Sequence, residues 1–325
     1  PASPTLAITA RVKALKAAGE DIIGFGAGEP DFGTPSVVCD AAIEALKAGQ
    51  TRYAPTPGTP EAREAIAQKL RTENGIECSA ADIIINNGAK FTVYLALQAI
   101  VNPGDVVLLP TPAWVSYKPM IELAGGVVRE IPAGPDSDFK MTPQQLDEAL
   151  ASGARALIFN SPSNPCGTMY TPDEVAALTD VLKKHPSVAV IADEIYERLI
   201  YTDAPYRSIA SDPEIADQVI TINGLSKTFA MTGWRIGYAC ATGQDGAVIK
   251  AMTRLQSQMT SSITSFLMNS IPAALQKASG DVEMMRKTFA ERAELIYGHI
   301  QSWPGVTCPR PTGAFYVFPD VSATF

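Results

Sequence analysis

Between about residues 35 and 270 the chain alternates short apolar runs with amphipathic stretches, and this alternation restricts its fold more than any other property. The runs are Asp82-Ile83-Ile84-Ile85, Val106-Val107-Leu108-Leu109, Ala156-Leu157-Ile158-Phe159, Val188-Ala189-Val190-Ile191-Ala192 and Val219-Ile220-Thr221-Ile222. Runs of this length, rich in β-branched residues, read as buried strands. Strands separated by helices imply an α/β fold, a mainly parallel sheet covered by helices. A chain of 325 residues with 46% hydrophobic content forms one large domain or two smaller ones around a real core.

In open α/β sheets ligands bind outside the carboxyl ends of the strands. Polar residues gather there in this sequence. The first run leads into Asn86-Asn87-Gly88-Ala89-Lys90 and then an apolar helix, Phe91 to Ile100. A glycine turn at a helix N-terminus is an anion cradle, because free N–H groups and the helix dipole both favour phosphate. Trp114 follows the second run, Asn164 the third and Asp193 the fourth. An aspartate after five apolar residues needs a partner, whether an arginine elsewhere or a cationic ligand. After the fifth run come Asn223-Gly224 and then Lys227, with Arg235 eight residues further on. A lone loop lysine is ordinarily a surface residue. A desolvated one has a lowered pKa and attacks carbonyl carbon. Gly88 with Ala89, Trp114, Asn164, Asp193 and Lys227 at five strand ends describe one site.

Gly224-Leu225-Ser226-Lys227 with Gly233-Trp234-Arg235-Ile236-Gly237 resembles the pyridoxal-phosphate attachment segment of class I aminotransferases. The resemblance continues in Ala27-Gly28-Glu29-Pro30-Asp31-Phe32, in Tyr53-Ala54-Pro55 with Gly58, in Asn160 to Gly167, and in Pro311-Thr312-Gly313-Ala314-Phe315-Tyr316. It covers essentially the whole chain and is nearest to bacterial aspartate aminotransferases, a branch that includes prephenate aminotransferases. It implies the type I pyridoxal-phosphate fold, with a large cofactor-binding domain over residues 34–278. Residues 1–33 and 279–325 are expected to form a small α+β domain. It also implies a homodimer with both sites at the interface, and a dicarboxylate substrate such as aspartate with 2-oxoglutarate, prephenate being a further candidate.

The roles carried over are specific. Lys227 holds the cofactor and moves the proton. Arg235, Gly88, Ala89 and Ser226 surround the phosphate, and Tyr53 reaches the phosphate of the neighbouring subunit. Trp114 stacks on the pyridine ring and borders the substrate. Asp193 pairs with the ring nitrogen, while Asn164 and Tyr196 contact the phenolic oxygen. Gly28 and Asn164 meet the substrate α-carboxylate. Lys90, together with Thr5, is placed to hold a second carboxylate; the alternative for Lys90 is the cofactor phosphate. Two positions depart from the pattern: Cys166 stands where threonine is usual, and Ala113 where tyrosine is frequent. The family's α-carboxylate arginine lies some tens of residues past the Pro311–Tyr316 segment, beyond Phe325. The small domain as given is therefore expected to be incomplete, with the cofactor site whole and turnover impaired.

Other classes fit less well. Net charge is −8 and no basic block stands out, which argues against a nucleic-acid surface. Cys39, Cys78, Cys166, Cys240 and Cys308 include no CxxC pair and read as reduced thiols of a cytoplasmic protein. His185 and His299 are too far apart in sequence to suggest a metal site. No uncharged apolar run reaches the ~18 residues of a membrane span. Gly24 and Gly26 match two glycines of a dinucleotide loop, but Glu29 and Pro30 break the pattern. The remaining rivals are an aromatic or broad-specificity aminotransferase, a related lyase, and a non-enzymatic sensor domain, which would need a DNA-binding helix-turn-helix. Locally, the sequence predicts helices over Thr5–Ala18, Val37–Ala48 and from Pro60 to about Glu73. Helix starts are expected at Thr142 and Thr171. Strands are expected at Asp21–Ile23 and Pro311–Val317, and a mainly helical stretch from Val248 to Gly298 with a break at Pro272.

Overall fold

A computed structural model describes residues 4–26 and 28–325. Its helices are α1 (Pro4–Ala17), α2 (Ser36–Lys47), α3 (Pro60–Asn74), α4 (Ala89–Ile100), α5 (Tyr117–Leu123), α6 (Pro143–Ala151), α7 (Pro172–Leu182), α8 (Ala247–Met259), α9 (Ser270–Lys277) and α10 (Ser279–Gln301). The strands are β1 (Ile83–Asn86), β2 (Val106–Thr111), β3 (Val127–Pro132), β4 (Ala156–Asn160), β5 (Ala189–Asp193), β6 (Val219–Gly224) and β7 (Gly237–Cys240). Helix starts follow local chemistry. Thr142 and Thr171 form capping boxes with Gln145 and Glu174, and each is followed by a proline in the first turn. α3 begins at Thr59-Pro60 and ends at Gly75 in the left-handed conformation.

Among the described residues the seven strands form one sheet in the order β1-β7-β6-β5-β4-β2-β3. Every pairing is parallel except those of β7, which runs antiparallel to both β1 and β6. Alternate strand residues supply two cores. Ile84, Ile158, Ile191 and Ile222 pack against α4, α5 and α8 on one face. Ile83, Leu157, Phe159 and Val190 pack against α3, α6, α7 and α9 on the other. Burial on both faces explains why these strands read as continuous apolar runs.

Register fixes the site. Asn160 lies opposite Asp193, and Asp193 opposite Ile222, so the ends of β4 and β5 are level and β6 runs two residues further, to Gly224. Gly237 pairs with both Asn86 and Gly224. Arg235, two residues before it, is thereby brought beside the turn that follows β1.

Three local expectations are corrected. Asp21–Ile23 is not a strand: the segment has no strand partner among the described residues, and Ile23 is 80% exposed. Pro311–Val317 is not a strand either. Gly313 makes a single bridge with Ile200, and the chain turns at Ala314, whose φ is 58°. Pro272 breaks no helix, since it lies in the first turn of α9, where its missing N–H has no intrahelical acceptor. The interruption falls instead between Thr260 and Thr264, after α8. A third apolar cluster joins Ile195, Tyr196 and Leu199 to Met285 and Phe289 of α10, with Phe32, Phe315 and Tyr316 against it. No helix among the described residues is long and apolar enough to cross a membrane.

Candidate active site

A cleft of about 960 Å³ opens at the carboxyl ends of β1, β2, β4, β5 and β6. Gly28, Ala89, Lys90, Trp114, Asn164, Asp193, Tyr196, Ser226, Lys227 and Arg235 all line it. Gly88 caps α4 directly behind Ala89. The sequence scattered these residues over more than two hundred positions, and the neighbouring strand ends gather them.

Asp193 is 3% exposed at the cleft floor. Burial pushes its carboxyl up to about 6; hydrogen bonds from the Tyr117 hydroxyl at 2.8 Å and the Ile195 amide at 3.3 Å, with the Lys227 charge, pull the other way. Asn160 Nδ2 donates to the Asp193 carbonyl at 2.9 Å, and Asn160 Oδ1 accepts the Asn164 amide at 2.9 Å, which ties the two loops together.

Lys227 leaves the end of β6 and points into the cleft, where its ammonium donates to the Gly28 carbonyl and lies 5.7 Å from the Phe315 ring centroid. Burial lowers it to about 8; Glu29 and Asp193 raise it, while Arg235 and Lys90 lower it further. An amine in this range is partly neutral near physiological pH and is a competent nucleophile and base.

At the other end of the cleft the turn after β1 meets Arg235. Gly88 has φ 86°, and a Cβ there would stand 2.3 Å from Arg235 Nη2. A Cβ at Gly237 would stand 2.3 Å from the Ala89 amide nitrogen. α4 starts without a side-chain cap, so the amides of its first turn remain available to a ligand. Arg235, itself left-handed at φ 57°, donates to the Thr232 carbonyl at 2.7 Å. Lys90 Nζ sits 4.8 Å from the Trp114 ring centroid, and burial together with Arg235 lowers its pKa. Cations and free amides at one end, a buried carboxylate at the floor and an amine between them fit a phosphorylated, carbonyl-bearing pyridine.

Two expected residues lie elsewhere. Tyr53 is 98% exposed and does not line this chain's cleft. Thr5 falls in α1, and its side chain lies outside the described residues. Two cleft residues were not foreseen. Tyr117 holds Asp193, and it packs edge-on against Trp114 with centroids 5.2 Å apart. Tyr316 brings its hydroxyl within 2.7 Å of the Tyr196 hydroxyl, and a Cβ at Gly28 would lie 2.7 Å from that same oxygen. The signal for Tyr117 was present: an aromatic with a polar tip, three residues past Trp114.

The family model for aminotransferase class I and II matches residues 20–324. An aspartate aminotransferase from Geobacillus stearothermophilus is 46% identical over 98% of this chain and 80% of its own length. An aspartate/prephenate aminotransferase from Cereibacter sphaeroides is 44% identical over 98% of this chain and 80% of its own. Among solved structures, the aspartate aminotransferase of Thermus thermophilus with maleate superposes with a TM-score of 0.94. It is 39% identical, and the match covers 99% of this chain and 83% of that one.

Proposed function

The chain belongs to the class I and II aminotransferases, whose cofactor is pyridoxal phosphate, and we propose that its cleft transfers the amino group of aspartate to 2-oxoglutarate, with prephenate as a further acceptor. The observation that carries the site assignment is the joint placement of Lys227, Asp193 and Arg235 in one cleft. When bound, pyridoxal phosphate supplies a carbonyl that condenses with amines and a protonated ring that accepts the electron pair left at Cα. The side chains do the rest. Lys227 anchors the cofactor and, once displaced, moves the proton at Cα, for which its lowered pKa suits it. Asp193 keeps the ring nitrogen protonated from a site where its own charge is poorly solvated.

Arg235, Ser226 and the amides after Gly88 hold the phosphate. Trp114 offers the ring a flat face, and Asn164 with Tyr196 orients the phenolic oxygen. Gly28 and Asn164 receive the substrate α-carboxylate, and Lys90 with Thr5 the second one. The substrate choice rests on Lys90, a cleft cation that stands over the Trp114 ring and makes no salt bridge among the described residues. It rests also on the named activities of the relatives and the maleate, a dicarboxylate, in the Thermus thermophilus structure.

The proposed large domain spans residues 34–278, with 1–33 and 279–325 forming the small one. The working unit is a cytoplasmic homodimer. Behind Arg235 lies an exposed apolar hollow between Ile43 and Leu46 of α2 and Phe266 and Leu267, which a second copy would cover while delivering Tyr53. The test of the activity is a half-reaction panel. Holoenzyme is mixed with single amino acids, and the visible cofactor band is followed as it converts to the pyridoxamine form. Aspartate and glutamate should convert it much faster than alanine or leucine; equal rates would contradict the substrate assignment.

A further inference from the structure

The residues next to Asp193 form a polar cluster beneath the cleft that the transfer chemistry does not use. After β5 the backbone makes one turn: Glu197 N–H donates to Glu194 O at 3.0 Å, and Leu199 N–H to Tyr196 O at 2.8 Å. Residues three apart in such a turn share a side. Asp193 and Tyr196 accordingly line the cleft, while Glu194 and Glu197 are buried away from it. Three side chains at the carboxyl end of α3 meet this turn from below. Lys69 pairs with Glu197. Asn74 donates to Glu197 at 2.5 Å and to Glu194 at 3.3 Å. Glu73 accepts Arg198 Nε at 3.0 Å. Ser208 closes the cluster, its hydroxyl donating to Glu194 at 2.5 Å.

The charge balance is specific. Two buried carboxylates face one ammonium. Burial pushes the Glu194 carboxyl up, and the neighbouring Glu197 charge adds to the rise. Burial also raises Glu197, but Lys69, with the Asn74 hydrogen bond and the Arg198 charge, outweighs it and holds Glu197 ionised. A cluster satisfied in this way has one low-energy arrangement, because any shift of the turn strands a buried polar group.

We propose that the carboxyl end of α3 clamps the Asp193–Tyr196 turn, so that Lys69, Asn74 and Glu194 are positioning residues for Asp193. A carboxylate must face the ring nitrogen at the right distance and angle, and displacing it by a fraction of an ångström lowers turnover without lowering substrate affinity. The inference rests on the role assigned to Asp193 above.

The experiment compares holoenzyme carrying Glu194→Ala, Glu194→Gln, the double change Lys69→Met with Glu197→Gln, and Asp193→Asn. Glu194→Ala should lower kcat by roughly ten- to a hundredfold, the scale of a misplaced catalytic group. KM should change less than about threefold, and the absorbance maximum of the bound cofactor should shift. Glu194→Gln keeps the hydrogen bonds of a neutral acid and should stay within about threefold of the parent kcat. A folded Glu194→Ala protein with parental kcat and spectrum overturns the proposal. If that variant does not fold, the double change decides, since removing both members of a buried pair leaves no unpaired charge. A kcat lowered at parental melting temperature supports the clamp, and a parental kcat overturns it. Should Asp193→Asn keep full turnover, the role of Asp193 fails and the clamp falls with it. Should only Asp193→Asn be damaging, the clamp alone is wrong.

Discussion

Asp193→Asn separates stability from function, with opposite signs. Raising a carboxyl from 3.8 to about 6 by burial costs the folded state about 3 kcal/mol once the group is ionised. The sign follows from proton binding. Between these two values the folded protein holds the proton and the unfolded chain has lost it, so stability falls as pH rises through this window. The cost is fully present above about pH 6 and fades below about pH 4. Asparagine removes the charge, and its amide oxygen still accepts from the Tyr117 hydroxyl. Its amide group needs acceptors of its own, which gives back about 1–2 kcal/mol. The cofactor-free variant should therefore be more stable than the parent at pH 8 by about 1–2 kcal/mol, or roughly 2–4 °C in melting temperature for a chain of this size. At pH 4 most of the charge cost has gone while the amide penalty remains, so the sign should reverse and the variant should be less stable than the parent by about 1 kcal/mol. The holoenzyme should keep its cofactor and lose two to three orders of magnitude in transamination rate, on the order of what a preorganised electrostatic partner contributes. The assay is a paired melt of both apo proteins at the two pH values, followed by single-turnover kinetics. An apo variant less stable at pH 8, or equally shifted at both pH values, refutes the desolvation argument. Near-normal turnover refutes the role of Asp193.

Lys90→Ala should narrow the rate gap between dicarboxylic amino acids and alanine; if cofactor affinity falls while the preference stays, Lys90 is a phosphate ligand instead. Gly88→Ala should cost about 1–3 kcal/mol, since φ 86° with ψ 154° is a backbone that only glycine adopts freely, and should loosen the cofactor as well, because the added Cβ displaces the guanidinium of Arg235. Equilibrium dialysis of pyridoxal phosphate reads that loss, and unchanged affinity would exclude Arg235 from the phosphate site. Light scattering should give a homodimer, with Tyr53→Phe weakening cofactor binding; an active monomer would contradict that assembly.

The doubly buried strands were legible because nothing polar interrupts them. β3 was not, since Val127 to Pro132 is an edge strand that carries Glu130 to solvent and ties a half-buried Arg129 to the end of α6. β7 was hidden by its length of four residues and its glycine start, yet it aims Arg235. Ile23 and the Pro311–Val317 segment show the opposite error. β-branched and aromatic residues looked like strand, but among the described residues they find no strand to pair with beyond the single bridge from Gly313 to Ile200. Among site residues, Lys227, Asp193 and Asn164 could be found because a polar group at the end of an apolar run is conspicuous. Tyr316 was not, because a buried tyrosine resembles core until its hydroxyl is seen on Tyr196, and Tyr117 carried only the hint of its place three residues past Trp114 until its hydroxyl is seen on Asp193. The α3 clamp was equally hidden, for Lys69, Asn74, Glu194 and Glu197 meet only after folding.

The central claim is that Lys227, drawn out of water at the end of β6, carries the cofactor. Borohydride reduction of the holoenzyme followed by proteolysis and mass mapping tests it directly. The account predicts one pyridoxyl mass per chain, on the peptide that contains Lys227, and none after Lys227→Ala. A label on Lys90 or any other lysine, or an unlabelled chain that still turns over, would contradict it.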